Sequence, residues 1–236
     1  PNKLTQGSIT PISMLEPLLY SATNSFDDYM LAIANEISQV TVAKSTPRRE
    51  HCYNLSNQNF QQIWNLCYKW AKNADHMYEL AVDQNQPNFQ AIGLTLKVYY
   101  MSICTDMFGS VAYTEGLRGD EGILKPHIDS QKEVYEAMMA DLETANSLYD
   151  PSQEMDDPTK DAIYAGDISK WKKFTNTLHL RLLMRVSGRN DAFTPTVGER
   201  IRTIIDDPTT YPVFTSNADN ATVKFSGTAI YYRNYF

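Results

Sequence analysis

The residues in this chain that could do covalent chemistry are few and scattered. Acidic pairs stand at Asp27-Asp28, Asp120-Glu121, Asp156-Asp157 and Asp206-Asp207. A glycosidase needs two carboxylates facing each other across a sugar, roughly 5 to 9.5 Å apart. Sequence neighbours on one loop do not supply that geometry, and acids beside turns and helix starts cap backbone donors. The four histidines, His51, His76, His127 and His179, are isolated and lack the spacing of a metal-ligand set. No acid is placed to orient His51-Cys52 as a base and nucleophile. Cys52, Cys67 and Cys104 form no C-x-x-C pair. There is no G-x-S-x-G, Walker loop, G-x-G-x-x-G, H-E-x-x-H or calcium-loop pattern. No catalytic residue, metal or cofactor is expected.

Binding chemistry is better represented. The chain has 15 Tyr against 9 Phe and 3 Trp. Tyrosine joins a flat apolar face to a polar tip, which suits a sugar platform and a half-buried helix face equally. Arg181 and Arg185 are four residues apart, so on a helix their guanidinium groups project from one side. They either hold an anionic ligand or lock a neighbouring helix through carboxylates. A net charge of -7, with no basic cluster longer than Arg48-Arg49, argues against a nucleic-acid partner.

The elements that must position these groups are helical. The chain has 236 residues, 42% hydrophobic and 21% charged, in the range of a globular protein with a real core. Thr10-Pro11 marks a helix start, followed by an apolar face of Met14, Leu15, Leu18, Leu19 and Ala22. A second helix is predicted from Phe26 to Ile37, and residues 40–57 read as an exposed loop. Phe60, Ile63, Trp64, Cys67, Ala71, Ala74, Tyr78 and Ala81 then recur at helical spacing. Gln86-Pro87-Asn88 breaks the run before Phe89, Ile92, Leu96, Tyr99 and Ile103 repeat it. Lys97 is the sole charge between Asn88 and Cys104, so this helix is expected to be buried on most sides. Two long helices joined by a short turn must lie antiparallel.

Ser130 and Glu133 form a capping box ahead of Val134, Met138, Leu142, Ala145 and Tyr149. Asp167 is placed to cap a helix whose Trp171, Phe174, Leu178, Leu182 and Val186 face inward before Gly188. Thr194-Pro195 is predicted to open a shorter helix with Val197, Ile201, Ile204 and Ile205 inward. From Tyr211 the pattern turns extended, and it stops at Tyr235-Phe236 without a closing element. The chain also opens at Pro1 without an initiator Met, so it reads as a trimmed or truncated product. Helix pairs beginning near Phe60 and Ser130 lie about 70 residues apart, against roughly 34 for the regular tetratricopeptide repeat. The fold class is thus mainly all-α, built from irregular tetratricopeptide-like pairs with long loops.

The run from Gly166 through Asp167, Lys170, Trp171, Phe174, Asn176, Leu178, Leu180 and Arg181 to Arg185 resembles the G-D-x-x-K-W-x-K-F-A-N-S-L-x-L-R-x-x-x-R motif of the SusD/RagB family. Thr175 and Thr177 stand where that family usually has small residues. Upstream, Thr105-Asp106, Gly109, Val111, Tyr113 and Glu115 are similar to its T-D-x-x-G-x-V-P-Y-x-E segment, with Ala112 in place of the Pro. Asp141-Leu142 and Ala145 match its D-L-x-x-A element, and Ser216 to Ala221 fits the segment after the motif helix.

The resemblance implies a non-catalytic, lipid-anchored protein of the bacterial outer membrane and cell surface, of Bacteroidetes type. Such proteins sit over a SusC-like TonB-dependent transporter and capture a glycan or other nutrient. It also implies that the chain is the amino-terminal half, with residues 1–210 a helical domain and 211–236 the start of a loop-rich, ligand-facing region. The lipidated Cys expected near the start is not in the sequence. Trp171, Asn176, Arg181 and Arg185 then belong to a packing signature, and ligand contacts fall to loops. Tyr53 and Asn54 offer a stacking ring and an amide before the long helix, and Tyr231, Tyr232 and Tyr235 offer rings in the tail. A tetratricopeptide-like protein-binding adaptor and a helical glycosidase are the competing readings.

Overall fold

The computed structural model of the protein describes residues 9–41 and 50–224. Eight α-helices dominate it: α1 (Pro11–Glu16), α2 (Ala22–Tyr29), α3 (Asn35–Ile37), α4 (Asn57–Asp83), α5 (Pro87–Phe108), α6 (Gln131–Leu148), α7 (Ile168–Arg185) and α8 (Val197–Asp206). Among the described residues there is no sheet, only an isolated antiparallel bridge between Val111 and Asp129. The all-α architecture predicted from periodicity is therefore the one observed.

The first three helices form one run, where the sequence pattern predicted two separate helices. Wider π turns at Pro17–Ser21 and Met30–Ala34 join them. The first begins at Pro17, whose ring and missing N–H disturb the regular ladder. Between Ala22 and Phe26 nothing breaks the helix. Thr23 and Ser25 instead donate back to the carbonyls of Leu19 and Ser21, at 2.6 and 2.7 Å.

Helices α4 and α5 make the most extensive pairing. The short link at residues 84–86 forces them antiparallel, and Gly93 shows how close they come. A Cβ there would meet the Ala74 carbonyl oxygen and Tyr78 backbone nitrogen at 3.0 Å, so a larger residue must push the helices apart. Helix α5 is sheathed on nearly every side, as its lack of charge predicted: Ala91, Ile92, Leu94, Leu96, Val98, Met101 and Cys104 are all buried.

Hydroxyl groups tie three helices together where the family motif usually has a small residue. Thr175 on α7 lies 2.7 Å from Thr95 on α5, and donates to Tyr149 at the end of α6 at 3.0 Å. All three side chains are buried, so each polar atom finds its partner inside the core. Thr177, the other departure, accepts from the Phe214 N–H at 2.9 Å and holds the extended segment after α8.

The predicted caps of α6 and α7 are present. Ser130 N–H donates to Glu133 at 2.7 Å, and Asp167 accepts from Lys170 N–H at 3.1 Å. Three details differ from the sequence reading. The α8 cap is Thr196, not Thr194: its hydroxyl and N–H both contact Glu199, at 2.7 and 2.8 Å. Ile205 is 60% exposed, because α8 buries only the narrow seam of Val197 and Ile204. Phe60 is exposed too. In the register that brings Cys67 beside Cys104, Phe60 falls level with Val111, past the end of α5.

Candidate functional site

The motif helix α7 is anchored from below. The Asp161 carboxylate is buried and takes four donors: Ile163 and Tyr164 N–H at 3.0 and 3.1 Å, Gly166 N–H at 3.0 Å, and Trp171 Nε1 at 2.8 Å. Three loop N–H groups thus gather around one side chain, which also clamps the fully buried Trp171 indole. Gly166 has φ +86, and a Cβ there would lie 2.8 Å from Pro158, so the motif's first residue answers a backbone requirement. Asn176, 1% exposed, donates to Asn146 at 2.9 Å and to the Pro212 carbonyl at 3.1 Å. Trp171 and Asn176 are packing residues, as the resemblance implied. Asp161 was not singled out in the sequence. Its signal was a carboxylate two to five residues ahead of the backbone donors it gathers, just before the motif.

The two arginines behave differently. Both are exposed. Arg185 Nε meets Asp106 at 2.8 Å, and Tyr135 donates to the same carboxylate at 2.6 Å. Arg181 lines a cleft of about 460 Å³ beside Tyr99, Phe174 and Phe214, closed on one side by residues 220–223. Phe174 and Phe214 stack at 6.3 Å with planes 15° apart, and Tyr99 lies 6.3 Å from Phe174. Burial raises the Tyr99 phenol, and the Arg181 charge opposes that rise. Helix spacing made the arginine pair visible, but not the arrival of the 211–224 segment that turns Arg181's surroundings into a cleft.

The loop candidates fare unevenly. Tyr53 is 66% exposed and sits at φ 59, in the left-handed region. That conformation costs a side-chain-bearing residue about 1 to 2 kcal/mol and marks a position held by its surroundings. The holding contacts are clear. Tyr53 N–H donates to the Glu50 carbonyl at 3.0 Å, and Gln39 donates to the His51 carbonyl at 2.8 Å. Asn59, in the first turn of α4, donates to the Glu50 carboxylate at 3.3 Å. The turn is thus braced to α3 on one side and α4 on the other, with the ring left in solvent. Asn54 beside it is exposed. Neither residue lines the Arg181 cleft. Tyr231, Tyr232 and Tyr235 lie outside the described residues.

Among the described residues no group of three or more His, Cys, Asp or Glu side chains could hold a metal ion. No helix among them is long and apolar enough to cross a membrane.

Comparison with known proteins adds the lineage. Solved structures with this fold include a SusD homologue from Bacteroides fragilis NCTC 9343, 27% identical with a TM-score of 0.71, which covers 93% of this chain and 45% of its own. A SusD/RagB family protein from Bacteroides thetaiotaomicron VPI-5482 is 22% identical with a TM-score of 0.72 over 91% of this chain and 45% of its own. A SusD homologue from Parabacteroides distasonis ATCC 8503 is 20% identical, with a TM-score of 0.73 over 90% and 41%. The chain therefore spans under half the length of these relatives. A search of curated proteins returned no match. A SusD-like family model, described as starch-binding and associating with the outer membrane, matches residues 1–236, and the chain belongs to that family.

Proposed function

We propose that the protein captures a glycan at the cell surface, without turning it over, and passes it to a SusC-like TonB-dependent transporter. The ring of Tyr53 is the stacking platform in this reading, and the Asn54 amide its hydrogen-bonding neighbour. One observation carries it: a large, exposed aromatic ring is held in left-handed backbone on a turn braced from both sides. A sugar's apolar face gains by covering such a ring, and a turn whose backbone is already fixed loses little freedom on binding. The description of the family as starch-binding supports a saccharide as ligand. The division of the chain at residue 210 into a helical body and the start of a ligand-facing region belongs to the same reading.

Calorimetric titration with a panel of oligosaccharides, starch-type chains included, tests this. Tyr53→Ala should weaken binding roughly fivefold, corresponding to about 1 kcal/mol of stacking, while Tyr53→Phe should bind nearly as well as the unaltered protein. Oligosaccharide cleavage by the protein, or equal affinity in all three forms, would overturn the reading.

A further inference from the structure

The resemblance placed Arg185 in a packing signature, and the structure gives that residue a second aspect. It lies on a cleft of about 710 Å³ bordered by Asp106, Gln131, Lys132, Tyr135, Arg189 and Phe193, with Val186 and Ala192 completing the wall. This cleft is separate from the one at Arg181 and shares no residue with the Tyr53 turn.

Three cations border it against a single carboxylate, in a chain whose net charge is -7. That carboxylate, Asp106, is already engaged by Tyr135 at 2.6 Å and by Arg185 Nε at 2.8 Å. The arrangement fixes one edge of the Arg185 guanidinium while leaving its side chain 51% exposed. A guanidinium held this way keeps its planar fork in place for an incoming oxyanion. Lys132 and Arg189 are exposed and have no ion-pair partner among the described residues.

The other acids nearby are also engaged. Glu133 caps α6 through Ser130 at 2.7 Å, Glu136 pairs with Arg200 at 2.8 Å, and Asp191 accepts from Asn190 at 2.7 Å. Val186 and Ala192 add apolar surface to the cleft, while Phe193 is buried with the Arg200 guanidinium 5.6 Å from its ring centre. Positive charge and apolar side chains lining one cleft match a ligand with an oxyanion on a body that has an apolar face.

We propose that this cleft is a second binding site, for an acidic saccharide whose carboxylate or sulfate meets Arg185, Lys132 and Arg189 while the ring covers Val186 and Ala192. The site does not depend on Tyr53, so it stands or falls separately from the Tyr53 reading.

The test is titration at low salt with a uronate oligosaccharide, a sulfated oligosaccharide, their neutral counterpart and inorganic sulfate. The acidic sugars should bind more tightly than the neutral one, with affinity falling as salt rises. The double variant Lys132→Ala, Arg189→Ala changes two exposed side chains, and should lose about tenfold of that affinity. Arg185→Gln should weaken binding as well. Unaltered affinity in the double variant overturns the proposal. So does a site that takes inorganic sulfate as tightly as the acidic sugars, because the apolar side chains would then contribute nothing.

Discussion

Replacing Asp161 with alanine should destabilise the protein more than any other single polar substitution in the motif region. The side chain is 4% exposed and accepts four hydrogen bonds, two from sites with no route to water. Trp171 is fully buried, and Tyr164 nearly so. Stranding a buried donor costs about 1 to 3 kcal/mol, which for these two gives about 4 kcal/mol. Ile163 and Gly166 are only partly buried, and their N–H groups can turn to solvent. The desolvation cost of the carboxylate disappears with it and returns part of the loss. A net loss of about 3 kcal/mol remains, which for a chain of this size lowers the melting temperature by about 6 to 12 °C.

Urea unfolding followed by tryptophan fluorescence measures the loss, and Trp171→Phe supplies the other arm of a double-mutant cycle. The coupling between Asp161 and Trp171 should reach about 1 to 3 kcal/mol, because each is the other's buried partner. If Asp161→Ala unfolds within about 1 kcal/mol of the unaltered protein, the clamp is not holding the motif helix. The idea that the motif is internal packing then fails.

Two further outcomes follow from buried titratable groups. His179 is 3% exposed, and burial, with Arg200 adding a smaller push, lowers its imidazole to about 4 despite Glu143 at 3.5 Å. It is neutral in the fold and near 6.5 when unfolded, so the unfolded chain binds the extra proton. Stability contributed by His179 should thus be complete above pH 6.5 and fall as pH drops towards 4, by up to about 3 kcal/mol. Urea midpoints between pH 7.5 and 4.5 should show this fall reduced in His179→Gln, and parallel curves for the two proteins would contradict it. Cys52 is exposed while Cys67 and Cys104 are buried. The hydrogen bond with Cys104, and then burial, push the Cys67 thiol upward and away from its reactive thiolate form. A thiol-specific reagent should titrate one cysteine in the folded protein and three in denaturant; two or more reacting promptly in the folded state would show that the α4–α5 pairing opens.

Much of the helical body could be read directly from residue order. The spacing of Ile63, Cys67, Ala71 and Ala74 marks a buried face, and Ser130 with Glu133 marks a helix start. Both signals act within one or two turns of the residues that carry them. The Gly166–Arg185 run even distinguished the buried Trp171 and Asn176 from loop residues. The exposed residues were harder to read. Phe60 and Ile205 have the right type and spacing for a core, but burial depends on a neighbouring helix reaching that far. Likewise, Thr175 looked like a departure from pattern until Thr95 and Tyr149 arrived beside it, from positions 80 and 26 residues away.

The candidate sites show the same limit. Tyr53 was identified as a loop aromatic, but its left-handed backbone and its bracing by Gln39 and Asn59 come from the way α3 and α4 flank the turn. The cleft with Lys132, Arg185 and Arg189 takes its cations from two segments some 50 residues apart. A helix records in its own sequence which face is apolar, since that periodicity is local. Which cations converge, and which rings stay in water, follows from the register in which antiparallel helices pack, and that register is set by contacts between residues far apart in the chain.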